Sequence, residues 1–398
     1  METNKKNIIY RTTMLVLISV IVTFMITSIG VYNYLTKTDN GSIKTLVKYV
    51  EVSDESEAVT AKFEVVKKYL EQYYIGDIKE GDMIETAIKG YVAGLDDEYT
   101  EYLTKDEYEE LLIAVTGDYV GIGIYMTQDL DGNVIVLMPM EGSPALEADL
   151  QIGDIIVKID DEDCTGMDLN LVSTKIKGEE GTTVKLEILR DGEILTKTVT
   201  RKKVEIQDSR AEILEGNIGY IELISFDEKS TDNVKKYLDD FQSKGVKSVI
   251  FDFRNNTGGM VTEAISFSEL FISRGDTIMR SYDKANEETV ITSNNTKPIE
   301  MDMVVLVNEY SASATEIVTA ALKDNGIATI VGTTTFGKGV MQEIVPVFEG
   351  ALKITIEEFK TPNGDKIHEK GIEPHKIVED DLDTEEDEQL NKAIELLK

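Results

Sequence analysis

The chain reads MVVLVN from Met303 to Asn308, then SASATE from Ser311 to Glu316 and IVTAAL from Ile317 to Leu322. The first run is short and apolar, which is typical of a buried strand, and the last has the pattern of a helix. Ser313 is therefore predicted at a strand-to-helix junction. Unpaired backbone N–H groups and the positive end of the helix dipole there favour negative charge on a nearby oxygen, such as that of an attacked carbonyl.

A lysine follows in the segment TFGKG, which ends at Gly339, and Gln342 comes four residues after Lys338. A serine hydroxyl and a lysine amine in such segments suggest a Ser-Lys hydrolase. Lowering a lysine pKa from about 10.4 to about 7 requires about 4 to 5 kcal/mol of destabilisation of the cation, which burial must supply. Phe336 and the two glycines are compatible with an enclosed amine. The alternatives are a capping box at Ser313-x-x-Glu316 and a plain Gly-Lys-Gly turn.

Strands alternate with helices over the second half of the chain. Predicted strands cover 219–224, 248–253, 303–307 and 353–359, and predicted helices cover 230–242 and 261–271. This alternation predicts an α/β core, a mixed sheet with flanking helices. The pair Gly258-Gly259 lies between a strand and a helix, where glycine lets backbone donors approach a carbonyl, although such turns also occur throughout α/β proteins without a catalytic role.

Segments in a fixed order resemble the carboxy-terminal processing peptidases, a family of Ser-Lys serine endopeptidases with a PDZ domain of the tail-specific protease type. The similarity runs from about residue 60 to 380. It is carried by the segments Gly94–Leu103, Gly121–Gly123, Phe251–Gly259, Ser311–Asp324, Val331–Gln342, Thr361–Gly364 and Gly371–Pro374.

The resemblance implies that Ser313 is the nucleophile, that Lys338 is the general base and that Gln342 orients the lysine. It also implies an oxyanion hole formed by the backbone N–H groups of Ala314 and of one glycine in the pair Gly258-Gly259. The reaction would be acyl transfer through an acyl-enzyme that water releases. A Ser-His-Asp arrangement is the competing chemistry, but both histidines of the chain lie in a polar stretch and are predicted to be solvated surface residues: His368 and His375.

Short alternating strands from about residue 117 to 204 resemble a PDZ domain inserted upstream of the main core. The segment Val120-Gly121-Ile122-Gly123 resembles the loop that holds a peptide carboxylate while the peptide adds a strand to a sheet edge. A strand-edge glycine pair can instead mark a bulge. Asp149 stands where the resemblance would have glycine, which questions the local turn.

An apolar stretch precedes these regions. Residues 12–35 are predicted as a transmembrane helix, because about 20 uncharged residues at 1.5 Å each match a bilayer. Lys5, Lys6 and Arg11 precede it, so residues 1–11 are predicted in the cytoplasm and the catalytic domain outside, in a single-pass protein of the cell membrane. A cleaved signal peptide is the alternative.

Composition excludes several partners. The net charge of −34, from 75 acidic and 41 basic residues, would repel nucleic acid, so no such partner is expected, and it favours neutral or basic substrates. Cys164 is the only cysteine, which excludes an intrachain disulfide, and with two histidines it leaves no plausible zinc cluster. We therefore expect no metal and no cofactor, and we expect Cys164 to pack within a small domain.

The predicted domains are a stalk at 36–58, a helical module at 59–116, the PDZ domain at 117–204, the protease core at 205–378 and an acidic tail with a helix at 379–398. The spacing of Phe63, Val66, Leu70 and Tyr73 predicts an amphipathic helix in the helical module. The resemblance implies a homodimer through this module. The alternative is that its apolar faces cover the protease core, and the sequence does not distinguish the two.

The predicted function is that of a membrane-anchored bacterial serine endopeptidase that cleaves extracytoplasmic proteins or peptides. Its PDZ domain would recognise substrate C-termini and gate access to the Ser-Lys site. The alternative is a catalytically silent PDZ scaffold or adaptor at the membrane.

Overall fold

The computed structural model describes residues 54–129, 132–379 and 386–398. The chain divides into two units, Met1–Ile84, described from Asp54 onward, and Glu85–Lys398. Helix α1 spans Asp54–Tyr73 and helix α2 spans Glu80–Ala93, so α2 extends across the division. Within the first unit an ion pair joins Lys67 to Glu80, while the apolar side chains of Phe63 and Val66 are exposed.

The predicted fold class is wrong in one part, the transmembrane helix. No helix in the described ranges is long and apolar enough to cross a membrane. Helix α1, with 20 residues, has sufficient length, but its sequence DESEAVTAKFEVVKKYLEQY is too rich in charge for the hydrocarbon core. The prediction itself falls on residues 12–35, which lie outside the described residues, as do 1–11 and most of the predicted stalk. The single-pass membrane localisation that depended on this helix is therefore not retained.

The second unit continues with a short strand and a helix that lead into the PDZ region. Strand β1 spans Glu101–Leu103 and helix α3 spans Lys105–Thr116. Helix α3 begins at a capping box, in which the Glu107 carboxylate accepts the N–H of Thr104 at 2.8 Å. It ends at Gly117, whose φ of 70° is a left-handed conformation that favours glycine.

The PDZ region is a small β-sheet with two helices. Its elements are β2 (Asp118–Gly121), β3 (Ile124–Gln128), β4 (Val134–Pro139), α4 (Pro144–Glu147), β5 (Ile155–Ile159), β6 (Glu162–Asp163), α5 (Leu169–Ile176), β7 (Thr183–Arg190), β8 (Glu193–Thr200) and β9 (Lys202–Glu205). The main sheet has the order β3-β4-β5-β7-β8, and β2 pairs with β9. Cys164 is buried in the core of this sheet, as predicted, and its Sγ lies 3.1 Å from the carbonyl oxygen of Ile156.

Asp149 adopts the conformation that the resemblance would assign to glycine. Its φ is 57°, in the left-handed region. Its carboxylate lies 3.2 Å from Arg190 Nη1 and 2.9 Å from Lys197 Nζ, and these charges hold the pKa of Asp149 well below its usual range. Aspartate tolerates this conformation better than most residues, so the turn is kept without glycine.

The protease core contains a mixed six-stranded sheet. Its elements are β10 (Ser209–Leu214), β11 (Ile218–Leu223), α6 (Ser230–Ser243), β12 (Ser248–Asp252), α7 (Val261–Glu269), β13 (Thr277–Asp283), β14 (Glu288–Thr292), β15 (Asp302–Val307), α8 (Ala314–Asp324), β16 (Ala328–Gly332), β17 (Val340–Val347), β18 (Gly350–Lys360), β19 (Lys376–Ile377) and α9 (Glu388–Leu397). The main sheet has the order β10-β11-β12-β15-β16-β19, with β10 antiparallel to β11 and the other pairs parallel. In a second sheet, β18 pairs with β1, β13 and β17.

Strand β15 lies inside the main sheet of the protease core, between β12 and β16, and is buried on both faces. Met303, Val305 and Val307 face a core that includes side chains of α6, α7 and α8. Val304 and Leu306 face the opposite core, to which α9 contributes Ala393. A continuous run of apolar residues is what a strand covered by helices on both faces requires, so this composition places β15 at the centre of the fold.

Candidate active site

Three neighbouring parallel strands bring the predicted site residues to one edge of the sheet. The pair Gly258-Gly259 follows β12, Ser313 follows β15, and Lys338 lies in the segment after β16. Because the strands are parallel and adjacent, their carboxyl ends meet at the same edge, where α/β proteins bind ligands. The sheet therefore brings together side chains that are far apart in the sequence.

Ser313 is the residue immediately before α8, and its backbone is strained. Its φ of 57° and ψ of −116° are unusual for a residue with a side chain. Such conformations cost about 1–3 kcal/mol and cluster at functional sites. Every residue of α8 from Ala314 to Leu322 is buried, so packing of this helix holds the strained serine at its N-terminus.

Glu316 connects the serine segment to the lysine segment. Its buried carboxylate accepts four hydrogen bonds, from Ser313 N at 2.8 Å, Lys338 N at 2.8 Å, Gly337 N at 2.7 Å and Thr335 Oγ1 at 2.6 Å. Burial raises the pKa of the Glu316 carboxyl, and these donors oppose the rise. The capping box that the sequence allowed is present, but it accounts for only part of this arrangement.

The glycine pair approaches the serine closely. A Cβ on Gly258, whose φ is 107°, would lie 2.9 Å from the Cβ of Ser313 and 2.7 Å from the carbonyl oxygen of Ala312, so a side chain does not fit there. The N–H of Gly258 donates to Asn256 Oδ1 at 2.9 Å. In the described part of the chain, the N–H groups of Gly259 and Ala314 have no recorded acceptor.

The Lys338 amine is partly buried but does not contact the serine hydroxyl. Its Nζ lies 4.8 Å from the centroid of the Tyr99 ring, and among the described residues no hydrogen bond joins it to Ser313 or Gln342. Burial lowers the pKa of Lys338, the charge of Lys353 lowers it further, and nearby carboxylates oppose the change. Phe336, which the sequence makes compatible with an enclosed amine, is 56% exposed.

Comparison with known proteins identifies the family. The model of peptidase family S41 matches residues 217–378, and the PDZ domain model matches residues 120–200. The carboxy-terminal processing protease CtpA of Bacillus subtilis (strain 168) is 33% identical over 319 residues, which cover 79% of this chain and 68% of that protein. The chain belongs to the carboxy-terminal processing proteases of peptidase family S41. The family and the enzyme class predicted from sequence, a serine-type carboxy-terminal processing peptidase, are thereby confirmed.

This carboxy-terminal processing protease is also similar to a second sequence relative and to one solved structure. A probable CtpA-like serine protease of Staphylococcus haemolyticus (strain JCSC1435) is 36% identical over 316 residues, and the match spans 79% of this chain and 63% of that protein. The solved structure of the photosystem II D1 C-terminal processing protease is 26% identical, covering 86% of this chain and 92% of that chain with a TM-score of 0.47. The family assignment rests on the sequence relatives and not on this structure.

Gln342 of this protease lies on a strand near the lysine. It begins the regular part of β17 after a register shift between Met341 and Gln342. Its Nε2 donates to Thr355 Oγ1 over 3.5 Å, a long hydrogen bond. The side chain is therefore close to the site but is not bonded to the Lys338 amine.

The sequence did not predict that two aromatic residues, Tyr99 and His368, lie at the site. Tyr99 lies in the segment between α2 and β1, within the motif that carried the family resemblance, yet its sequence gave no sign that it would face Lys338. His368, predicted on the surface, is half-buried and packs edge-on against Tyr99 with ring centroids 6.3 Å apart. His375 is exposed, and its Nδ1 accepts the N–H of Ile330 at 3.0 Å.

A cavity of about 790 Å³ adjoins the lysine, and its wall is acidic. Tyr99, Phe336, Gly337 and His368 line it, so it opens beside the Lys338 segment. One lysine, Lys284, lines it as well. Its carboxylates are those of Asp96, Asp97, Glu98, Asp283, Glu357, Glu358 and Glu369.

The predicted carboxylate loop of the PDZ domain lies between β2 and β3. Val120 and Gly121 end β2, and the carbonyl groups of Ile122 and Gly123 accept the N–H groups of Ala145 at 2.8 Å and Met140 at 3.0 Å. Within the described residues, the N–H group of Ile122 has no hydrogen-bond acceptor, and the N–H group of Gly123 lies near the Tyr119 hydroxyl. Backbone donors of this kind suit an anionic ligand.

Proposed function

We propose that this protease cleaves peptide bonds by acyl transfer, with Ser313 as the nucleophile and Lys338 as the general base. The observation that carries the proposal is the Glu316 carboxylate, which binds the backbone N–H groups of Ser313 and Lys338, both at 2.8 Å. One buried side chain thus fixes the main chain of both reacting residues.

The reaction follows from the acid–base properties of the two groups. The neutral amine of Lys338 takes the proton of the Ser313 hydroxyl while the oxygen attacks the peptide carbonyl carbon. The C–N bond then breaks, and the Lys338 ammonium gives its proton to the departing amine. Water repeats the sequence on the acyl-enzyme. The lowered pKa of Lys338 increases the fraction of neutral amine that can begin this cycle.

The carbonyl oxygen becomes negatively charged during the attack and needs donors. The N–H groups of Ala314 and Gly259 are the ones we assign, because the N–H of Gly258 is occupied by Asn256. Removing one such donor from a protease costs about 10²- to 10³-fold in rate. Gln342 is assigned to hold the lysine once it has turned toward Ser313.

The PDZ domain supplies substrate recognition in this proposal. Its loop at 120–123 contains backbone N–H groups, which suit the terminal carboxylate of a protein or peptide. Gating of the active site by the bound substrate is proposed on the same basis. The homodimer implied by the family resemblance has no support on this chain and stays a prediction.

One observation bears on the alternative of a catalytically silent scaffold. The Lys338 amine lies over the Tyr99 ring, and among the described residues it makes no hydrogen bond to the Ser313 hydroxyl. A resting enzyme and a silent scaffold both fit that observation. An assay of peptide cleavage distinguishes a resting enzyme from a silent scaffold.

Cleavage of a peptide with a free C-terminus provides the test. We expect Ser313→Ala to abolish turnover and Lys338→Ala to lower it by about 10²- to 10⁴-fold, the usual contribution of a general base. Matched controls are Ser266→Ala, whose hydroxyl bonds to the Thr262 carbonyl on α7, and Lys392→Ala, which pairs with Glu395 on α9. Turnover that survives in Ser313→Ala would refute the proposal, and a wild-type chain with no turnover on any substrate would favour the scaffold.

A further inference from the structure

A second cavity, of about 220 Å³, lies in the PDZ domain between β3 and α5. Its walls are largely apolar and include Ile122, Ile124, Met126 and Ile176. The position beside the edge strand β3 is where a peptide strand would be added to the sheet. The loop at 120–123 forms one end of this cavity, so the carboxylate of a bound C-terminus would lie at that end.

The side chain of Tyr119 lines this end of the cavity. Its ring lies against Gly121, where an added Cβ would be 2.5 Å from Cε2 of the ring. The hydroxyl lies near the backbone N–H groups of Gly123 and Ile124. Burial raises the pKa of the Tyr119 phenol, so the group in this position is neutral at ordinary pH.

A cation lies beside the same ring. The Nζ of Lys177, the residue after the end of α5, is 5.7 Å from the centroid of Tyr119. In the described part of the chain Lys177 has no recorded carboxylate partner, although other lysines of the domain, such as Lys175 and Lys185, do. Its charge is therefore free to attract an anion that enters the cavity.

The geometry points to Tyr119 as an internal occupant of the carboxylate loop, which a substrate C-terminus displaces, and to Lys177 as the cation that then pairs with the substrate carboxylate. This inference rests on the proposed recognition of C-termini by the PDZ domain. The ligand class is a polypeptide with a free terminal carboxylate and an apolar last residue, because the cavity beyond the loop is apolar. An amidated terminus lacks the charge that would replace the phenol.

Displacement has a thermodynamic signature. The hydroxyl of Tyr119 interacts with the loop only in the free protein, so its removal weakens the free state and leaves the bound state unchanged. A net hydrogen bond is worth a factor of about three to ten in an equilibrium constant. Tyr119→Phe should therefore bind a carboxylate-terminated peptide about three- to tenfold more tightly, and bind the amidated peptide as before.

Lys177 should act in the opposite direction. Lys177→Met removes the cation and should weaken binding of the carboxylate-terminated peptide about two- to fivefold, the usual range for a partly exposed ion pair. The amidated peptide should bind this variant as it binds the parent. Lys175→Met, which removes a lysine on α5 that pairs with Glu162 at 2.8 Å, should change neither affinity.

The experiment measures Kd by fluorescence anisotropy with the full chain carrying Ser313→Ala, so that the probe is not cleaved. The probes are a labelled peptide that ends in valine and the same peptide amidated. Tyr237→Phe, a tyrosine of α6 that lies 3.3 Å from the Ser209 carbonyl, is the matched hydroxyl control. Weaker or unchanged binding of the valine peptide to Tyr119→Phe would overturn displacement, and unchanged binding to Lys177→Met would overturn its pairing role. Equal affinity of the parent for both probes would instead refute recognition of C-termini itself.

Discussion

The Nζ atom of Lys338 lies 4.8 Å from the centroid of the Tyr99 ring, which places the proposed base against an aromatic face and not against the Ser313 hydroxyl. An aromatic face stabilises the charged form of an amine by about 0.5–1 kcal/mol at a partly exposed site. The contact therefore favours the ammonium, which cannot accept a proton. To act as a base on Ser313, the Lys338 amine has to lose the proton that this contact favours.

Replacing Tyr99 by leucine should make the base easier to release. Without the aromatic face the pKa of Lys338 falls, so the rising limb of kcat/KM against pH moves to lower pH. At pH values below the pKa of Lys338 we expect about two- to fivefold higher kcat/KM in Tyr99→Leu. This factor is the increase in neutral amine that follows from losing an aromatic contact of about 0.5–1 kcal/mol. Tyr99→Phe keeps the ring face and should retain the parent profile; a shift of equal size in both variants would contradict the role of the ring.

The charges of Lys353 and Glu101 should move the same limb in opposite directions. The positive charge of Lys353 lowers the pKa of Lys338, and the negative charge of Glu101 raises it. In Lys353→Met the pKa of Lys338 rises, less amine is neutral at a given pH, and the limb moves to higher pH. In Glu101→Gln the limb moves to lower pH.

Lys353 and Glu101 form an ion pair, with 2.7 Å between Nζ and Oε1. Both variants break this pair, so each is the control for the effect of its loss in the other. A structural effect of breaking the pair would move both profiles in the same way. Shifts of the same sign in pH–rate profiles of kcat/KM would thus exclude the electrostatic explanation.

Glu316→Gln should damage activity more than folding. The amide keeps one acceptor oxygen and turns a donor toward a site that already contains four donors, so at least one buried donor loses its partner at a cost of about 1–3 kcal/mol. We expect a lower melting temperature and a loss in kcat of at least about 10²-fold, because Ser313 and Lys338 are no longer held by one group.

Melting temperature and kcat are measured on the same preparation. Glu263→Gln is the control, since its carboxylate accepts the Thr231 N–H at 3.2 Å away from the site. If kcat of Glu316→Gln fell only in proportion to the folded fraction, Glu316 would be a stability residue without a positioning role.

The acidic cavity beside Lys338 should select cationic substrates. Seven carboxylates and one lysine line it, so its potential is negative. Of two peptides that differ only in lysine or glutamate next to the cleaved bond, the lysine peptide should have about tenfold higher kcat/KM at low salt. The preference should shrink as salt screens it, and the double variant Glu357→Gln/Glu358→Gln should reduce it. Equal rates for the two peptides at low salt would contradict this.

The sequence allowed the elements around Ser313 to be predicted because their signals are local. The predicted strand at 303–307 matches β15 to within one residue, and the helical pattern at 317–322 lies inside the longer α8. The strand order that brings Gly259 and Lys338 to the same edge was not predicted; it depends on the long-range pairing of β12, β15 and β16.

Contacts made by rotatable side chains and by distant segments were not predictable in this way. The capping-box pattern identified one of the donors to Glu316, and the other three come from loops whose course only the folded chain fixes. Tyr99 reaches Lys338 because β1 pairs with β18, a long-range pairing with no local signal. His368 looked solvated because its neighbours in sequence are charged, yet its ring packs on Tyr99.

Covalent labelling with a fluorophosphonate, followed by mass spectrometry of the peptides, tests the pairing of Ser313 with Lys338 most directly. The account predicts one adduct, on the peptide that contains Ser313, which forms faster as the pH rises through the titration of Lys338. The adduct should be absent in Ser313→Ala and form at least about 10²-fold more slowly in Lys338→Ala. An adduct on another residue, or labelling of Lys338→Ala at the parent rate, would contradict it.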